Sequence, residues 1–211
     1  MAQLIQARDI SLEELQSQFN LHLVLAEDFF CELQTDFPAP TELERQWLER
    51  VRQNYLNLAS RRSFSEEAVK MVVLSPLLDL AGFFQAPFGI QTEESVEITA
   101  EDEGIVVRGS INVLVVKQQF WVLVIESKSK QFDVLTALPQ ALVYMLNAPN
   151  QELPVYGLLV NGREFVFVKL EHRETPIYAR SFALSIERGS DLIQVFRILE
   201  YIRQEIIENE S

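Results

Sequence analysis

The feature that most restricts the fold is a nearly unbroken apolar run, Trp121-Val122-Leu123-Val124-Ile125, that ends in Glu126-Ser127-Lys128. Its short length and β-branched content predict a strand over Phe120 to Ser127, placed centrally in a sheet and covered on both faces. Side chains alternate across a strand with a period of two, so Glu126 and Lys128 are expected on one face. A carboxylate and an ammonium at the end of a run built for burial are costly without a partner or a task. The pair therefore marks a candidate reaction centre.

The residues before this run predict its neighbours. Val96, Ile98 and Ala100 alternate with polar positions, Glu101-Asp102-Glu103-Gly104 supplies turn chemistry, and Ile105 to Val116 continues as a long β run. A second turn at Lys117-Gln118-Gln119 leads into the apolar strand. Pairing centred on Gln118 would put Asn112 opposite Val124 and diagonal to Glu126, so that Asn112, Glu126 and Lys128 converge. Pro154 to Val160, Asn161-Gly162 and Glu164 to Leu170 predict another hairpin. Residues 133 to 147 predict a helix with Gln140 and Tyr144 one turn apart and Pro139 as an irregularity. As a crossover, that helix allows Phe120 to Ser127 and Pro154 to Val160 to be parallel.

Helices are expected at both ends of the chain. Residues 11 to 35 are largely helical in pattern until Pro38-Ala39-Pro40, and Thr41 with Glu44 forms a capping-box pattern for a helix to about Ala59. Trp47, Leu48, Val51, Tyr55 and Leu58 recur on one side of it and are expected in a core. Ser63 or Ser65 caps a second helix carrying Glu66, Val69, Val73 and Leu77 on one side, with Pro76 as a kink and Gly82 as its end. Glu67 falls with Met71, Leu74 and Leu78, so helical phase does not choose between Glu66 and Glu67. Asp191 to Glu208 reads as an amphipathic helix. The expected organisation is an N-terminal helical segment, residues 1–60, packed on a domain spanning residues 61–211.

The composition narrows the chemistry. With 18 basic and 31 acidic residues the net charge is -13, which opposes nonspecific attraction to phosphate backbones; residues 61 to 170, with 13 acids and 9 bases, are closest to balance. One cysteine, Cys31, excludes an intrachain disulfide, and two histidines exclude a His-rich zinc site, leaving oxygen-ligand chemistry. The start of the sequence lacks signal-peptide character, and Met71 to Phe84 is too short and too polar to span a bilayer, so the expectation is a cytoplasmic protein with no membrane partner. No Gly-x-x-x-x-Gly-Lys-Ser/Thr loop is present.

The succession of helix, strand hairpin, Asn112, Glu126-Ser127-Lys128, helix and strand resembles the PD-(D/E)XK nuclease superfamily, and Gln140-Ala141-Leu142-Val143-Tyr144 is similar to the Gln-x-x-x-Tyr element of its RecB-like members. The resemblance covers roughly residues 61 to 170. Ser75 to Gly82 and Phe120 to Lys128 also resemble an uncharacterised bacterial group within the superfamily. This implies a restriction-endonuclease-like α/β/α sandwich with a central mixed sheet and a magnesium-dependent DNA nuclease, with manganese as a substitute ion. On that resemblance Glu126 and Asn112 are metal ligands, Lys128 orients water, Glu66 is a water-mediated ligand, and Gln140 and Tyr144 meet substrate or support Lys128. Apart from the resemblance, Arg108, Lys130 and Arg163 are candidate phosphate contacts as basic residues of this region. Asn112 departs from the pattern, because Gly109-Ser110-Ile111-Asn112 stands where the family has Gly-x-x-Asp; asparagine keeps an oxygen acceptor and loses the charge. The alternative is an inactive nuclease fold serving as a homodimeric interaction module or as a nucleic-acid-binding module.

Overall fold

The computed structural model describes residues 3–33, 37–60, 65–100, 105–117, 120–127, 132–149 and 151–208. They form an α/β structure around one large mixed sheet. Its strands are β1 (Gln3–Gln6), β2 (His22–Leu23), β3 (Phe88–Ala100), β4 (Ile105–Lys117), β5 (Phe120–Ser127), β6 (Val155–Val160), β7 (Glu164–Glu171), β8 (Ile177–Arg180) and β9 (Leu184–Ser185). The main path runs β1-β4-β5-β6-β7-β8-β2, with β3 on β4 and β9 on β7. β5 lies between β4, antiparallel, and β6, parallel, as its apolar sequence requires. The Asn161-Gly162 turn joins β6 to β7. Gly162 has φ 86°, and the Asn161 Oδ1 accepts from the amides of Arg163 and Glu164.

Helices cover both faces. One layer holds α3 (Glu42–Ala59), α5 (Ser75–Leu80) and α7 (Gly189–Glu208); the other holds α1 (Leu12–Gln18) and α6 (Leu138–Leu146). Alternation on β6 and β7 feeds both layers: Tyr156, Leu158, Phe165 and Phe167 enter the first core, and Val155, Leu159, Val166 and Val168 the second. Short α2 (Ala26–Phe29) and a 3₁₀ turn at Cys31–Leu33 follow α1, so the helical pattern of residues 11 to 35 breaks into pieces around β2. The front segment supplies strands as well as helices: β1 adds to β4 and β2 to β8, both in parallel.

Several local features follow from sequence. Thr41 caps α3 while the Glu44 carboxylate accepts from the Thr41 amide, completing the capping box. Leu48, Val51 and Tyr55 are buried as expected, but Trp47 is 50% exposed and Leu58 39% exposed. The stripe is narrower than the sequence pattern, because Trp47 and Leu58 sit at the edges of the face that α3 turns to the core. Ser65 caps α4 (Glu66–Val69), and a π-helical turn at Lys70–Leu74 separates it from α5, which opens with Pro76 in its first turn. Ser63 lies outside the described residues. Residues 133 to 147 divide into a 3₁₀ turn, Val134–Ala137, and α6, where Pro139 occupies the first turn and needs no amide partner. Among the described residues no helix is long and apolar enough to cross a membrane.

The front segment is anchored by buried charge. Lys169 on β7 donates to Glu32 Oε1 at 2.9 Å and to the Phe29 carbonyl, and Tyr156, its register partner on β6, donates to the same Glu32 oxygen at 2.6 Å. Glu32 is 2% exposed and Lys169 7%. Removing one member strands the other in a medium that solvates it poorly. Lys169→Met is expected to cost about 3–5 kcal/mol in denaturant unfolding, and Lys169→Met with Glu32→Gln to recover most of it, because the neutral amide still accepts from Tyr156. Equal losses from single and double variants would contradict the charge argument.

Burial also raises all five phenols: Tyr55, Tyr144 and Tyr201 to about 12, and Tyr156 and Tyr178 upward from an ordinary value of 10.0. Unfolded phenols lose protons first, so this stability is intact below pH 10 and is lost as pH rises through about 12. Tyrosinate absorbance is expected to appear only together with unfolding above pH 10. A midpoint near 10 in the folded protein would be inconsistent with it.

Candidate functional site

The site begins with a change of partner along β4. β3 pairs with β4 from Ile105 to Lys117, on either side of Glu93 and Asn112. On the other edge β1 takes Ile105–Arg108, and the ladder to β5 begins at Val113. Gly109 to Asn112 fall between the two. There the Tyr144 hydroxyl on α6 donates to the Ser110 carbonyl at 2.9 Å and accepts from Gln140 Nε2 at 2.8 Å. Gly109 makes this approach possible: a Cβ at that position would lie 2.5 Å from the Tyr144 hydroxyl and 2.7 Å from the Ala7 Cβ. Gln140 and Tyr144 are both buried, one turn apart as their spacing predicts.

Just beyond the gap the strand is irregular. Val107, Ile111 and Leu114 belong to the core under α6, whereas Val113 and Val115 belong to the opposite core. Strict alternation is therefore interrupted at Asn112. Glu93 on β3, level with Asn112 between the rungs Thr92↔Val113 and Glu94↔Ile111, has φ 55°. A non-glycine residue held there carries strain of order 1 kcal/mol, which the surrounding pairings must sustain.

Glu126 and Asn112 come to neighbouring positions, though not in the expected register. Val124 pairs with Leu114, not Asn112, because a register shift between Val115 and Val116 offsets the ladder. The rungs Leu114↔Val124 and Val113↔Ile125 put Asn112 and Glu126 at the next level. A bulge adds one residue to one side, and in a two-residue hairpin this restores the parity that the sequence reading assumed. Ile125 faces the α3, α5 and α7 core; Glu126 is fully buried on the α6 side. Burial first, and then the Glu126 carboxylate, push the Tyr144 hydroxyl up to about 12, with a further contribution from Glu93. Tyr144 thus lies within electrostatic reach of both acids.

Glu66 sits on the other side of β4. Its carboxylate is 3.3 Å from Lys70 Nζ, which is 3.4 Å from Glu93; Ser110 Oγ donates to Glu93 at 3.4 Å. Ser110 then leads through its carbonyl to Tyr144. Of the expected residues, the fold links Glu66, Gln140, Tyr144 and Glu126 into one region with Asn112. Lys128 and Lys130 lie outside the described residues. Arg108 is held by Glu97 at 2.5 Å, and Arg163 pairs with Glu164 at the β6–β7 turn. Lys70 and Glu93 were not singled out in the sequence. The i, i+4 spacing of Glu66 and Lys70 was a usable signal; Glu93 gives none, since its position depends on the β3–β4 register.

A pocket of about 600 Å³ opens against this region, lined in part by Arg8, Arg108, Ser110, Gln140 and Tyr144. Among the described residues no group of three or more His, Cys, Asp and Glu side chains is arranged to hold a metal ion. Magnesium is commonly held by one or two carboxylates and completes its shell with water and phosphate; of the two residues Glu126 would bring a carboxylate and Asn112 a neutral oxygen.

The close approach at Gly109 is testable. Gly109→Ala is expected to lower stability by about 1–3 kcal/mol through overpacking against Tyr144. Coupling the change with Tyr144→Phe should cost less than the sum of the two single variants in denaturant unfolding, since the hydroxyl is the nearest clash; simple additivity would place the strain elsewhere. No family model matches this chain, and comparison with curated proteins finds no match.

Proposed function

We propose that this chain is a magnesium-dependent nuclease of the PD-(D/E)XK type, with a restriction-endonuclease-like core that hydrolyses phosphodiester bonds in DNA. The observation that supports it best is Glu126: a fully buried carboxylate at the end of the central strand, level with Asn112 and within electrostatic reach of the Tyr144 hydroxyl. Ordinary solvated ion pairs do not require such burial.

In this reading Glu126 and Asn112 hold the ion, and a magnesium ion supplies charge neutralisation at the phosphate and a more acidic water. Burial keeps bulk water from screening Glu126. Tyr144 and Gln140 fix the wall beside it: the phenol stays protonated near neutral pH, and its hydroxyl ties α6 to β4. Glu66, paired with Lys70, acts at longer range on the opposite side of the strand. Lys128 orients water, the role that the family resemblance gives it, and Lys130 is a candidate contact to the phosphate backbone.

The second reading, an inactive nuclease fold that assembles with itself, is favoured by Asn112 and by Lys70, whose ammonium pairs with both Glu66 and Glu93 and offsets one of their two charges. Leu43 and Trp47, both exposed on α3, offer a face for self-association in that case.

Incubation with plasmid and single-stranded DNA plus magnesium or manganese separates the readings. The nuclease proposal predicts cleavage that Glu126→Gln abolishes and Asn112→Asp increases about tenfold or more, the restored charge being worth several kcal/mol at an effective dielectric of about 20. Cleavage by Asn112→Asp alone identifies a disabled enzyme. Inactivity of both folded proteins sinks the nuclease proposal.

A further inference from the structure

The pocket beside Tyr144 differs in charge from the molecule that carries it. Among the described residues its charged lining is Arg8, Arg108 and Glu97, an excess of cation on a chain with a net charge of -13. The architecture that brings the two arginines there is specific. The last rung of β1 on β4 pairs Gln6 with Arg108, and the Ala7 amide donates to the Arg108 carbonyl at 2.7 Å, so Arg8 follows directly at the pocket wall. Gly109, over which the Tyr144 hydroxyl and Ala7 pack, lines the pocket together with Gln140 and Tyr144.

Both guanidinium groups are accessible. The Arg8 side chain is 75% exposed and pairs with Asp9 at a loose 3.8 Å; Arg108 is 55% exposed, and Glu97 engages it through Nε, one of five N–H donors in the fork. Planar, multiply donating cations match phosphate oxygens better than a point charge does. About 600 Å³ is ample for a single nucleotide, and the serine, glutamine and phenol groups of the lining suit a polar occupant rather than a lipid or an aromatic hydrocarbon.

We propose that this pocket receives one nucleotide of a bound single strand, with its phosphate held by Arg8 and Arg108. The inference rests on the nuclease reading, since Ser110, Gln140 and Tyr144 belong both to the pocket wall and to the Glu126 region. The Glu97 and Asp9 carboxylates compete with phosphate for the arginines, and counterion release makes the affinity fall as salt rises.

The test is fluorescence anisotropy of the full-length protein with a short labelled single-stranded oligonucleotide, in chelator and without metal. Arg8→Gln with Arg108→Gln is expected to weaken binding at least about tenfold and to flatten the log-log salt dependence by about 0.7 for each arginine. Arg188→Gln, which removes an equally exposed cation from the far side near α7, should leave affinity unchanged. Absence of oligonucleotide binding by the wild type, unchanged affinity in the double variant, or an equal loss with Arg188→Gln would overturn the proposal. Binding of dTMP without binding of the oligonucleotide would overturn a strand as the source of the nucleotide. Failure of metal-dependent cleavage with this binding retained counts against the nuclease reading alone. Cleavage retained without arginine-dependent binding counts against the pocket alone.

Discussion

One hydrogen bond in a gap of the sheet supports the whole arrangement. β4 gives up β1 at Arg108 and takes up β5 at Val113, and between them the Tyr144 hydroxyl donates to the Ser110 carbonyl. A backbone carbonyl in a sheet interior needs a donor, and here a side chain from the covering helix provides it. The bond is possible only because Gly109 leaves room for the phenol. It seats α6 on the sheet, carries Gln140 with it, and sets the wall against which Glu126 is buried. The pocket is the space left over by the same change of partners.

Charge around this bond is divided by the strand. Glu126 lies on the α6 side in surroundings that burial makes poor at solvating it, where a nearby ion or positive group has its greatest effect. Glu66 and Glu93 lie with Lys70 in more solvated positions, where the ion pairs contribute little to stability. Asn112 stands level with both Glu93 and Glu126, with an oxygen but no charge. The local field is thus set by a few carboxylates whose counter-charges differ in origin. An acid at position 112 would add a second carboxylate level with Glu126, while the single Lys70 ammonium offsets one of the two charges on the Glu66–Glu93 side.

Features governed by short-range chemistry were legible in the sequence. The Thr41–Glu44 capping box, the Asn161-Gly162 turn and the i, i+4 pairing of Gln140 with Tyr144 need only a few neighbouring residues to take shape. Features decided by long-range pairing were not. β1 and β2 are four and two residues long and become strands only because β4 and β8 offer edges to them. The Asn112–Glu126 level depends on a register shift that leaves no mark in Val115-Val116, and the strained Glu93 looks in sequence like any exposed acid of an edge strand. Trp47 misled for a related reason: helical spacing identifies a side of α3, but the width of the buried stripe is set by what packs on it.

The most direct test of the account is a manganese titration followed by electron paramagnetic resonance, comparing the wild type, Asn112→Asp and Asn112→Asp with Glu126→Gln. Position 112 and Glu126 acting together on one ion predict at least about tenfold tighter binding for Asn112→Asp, and loss of that gain when Glu126 is neutralised, each tenfold corresponding to about 1.4 kcal/mol. Manganese affinity that is unaffected by residue 112, or a gain that survives without the Glu126 charge, would contradict a shared site.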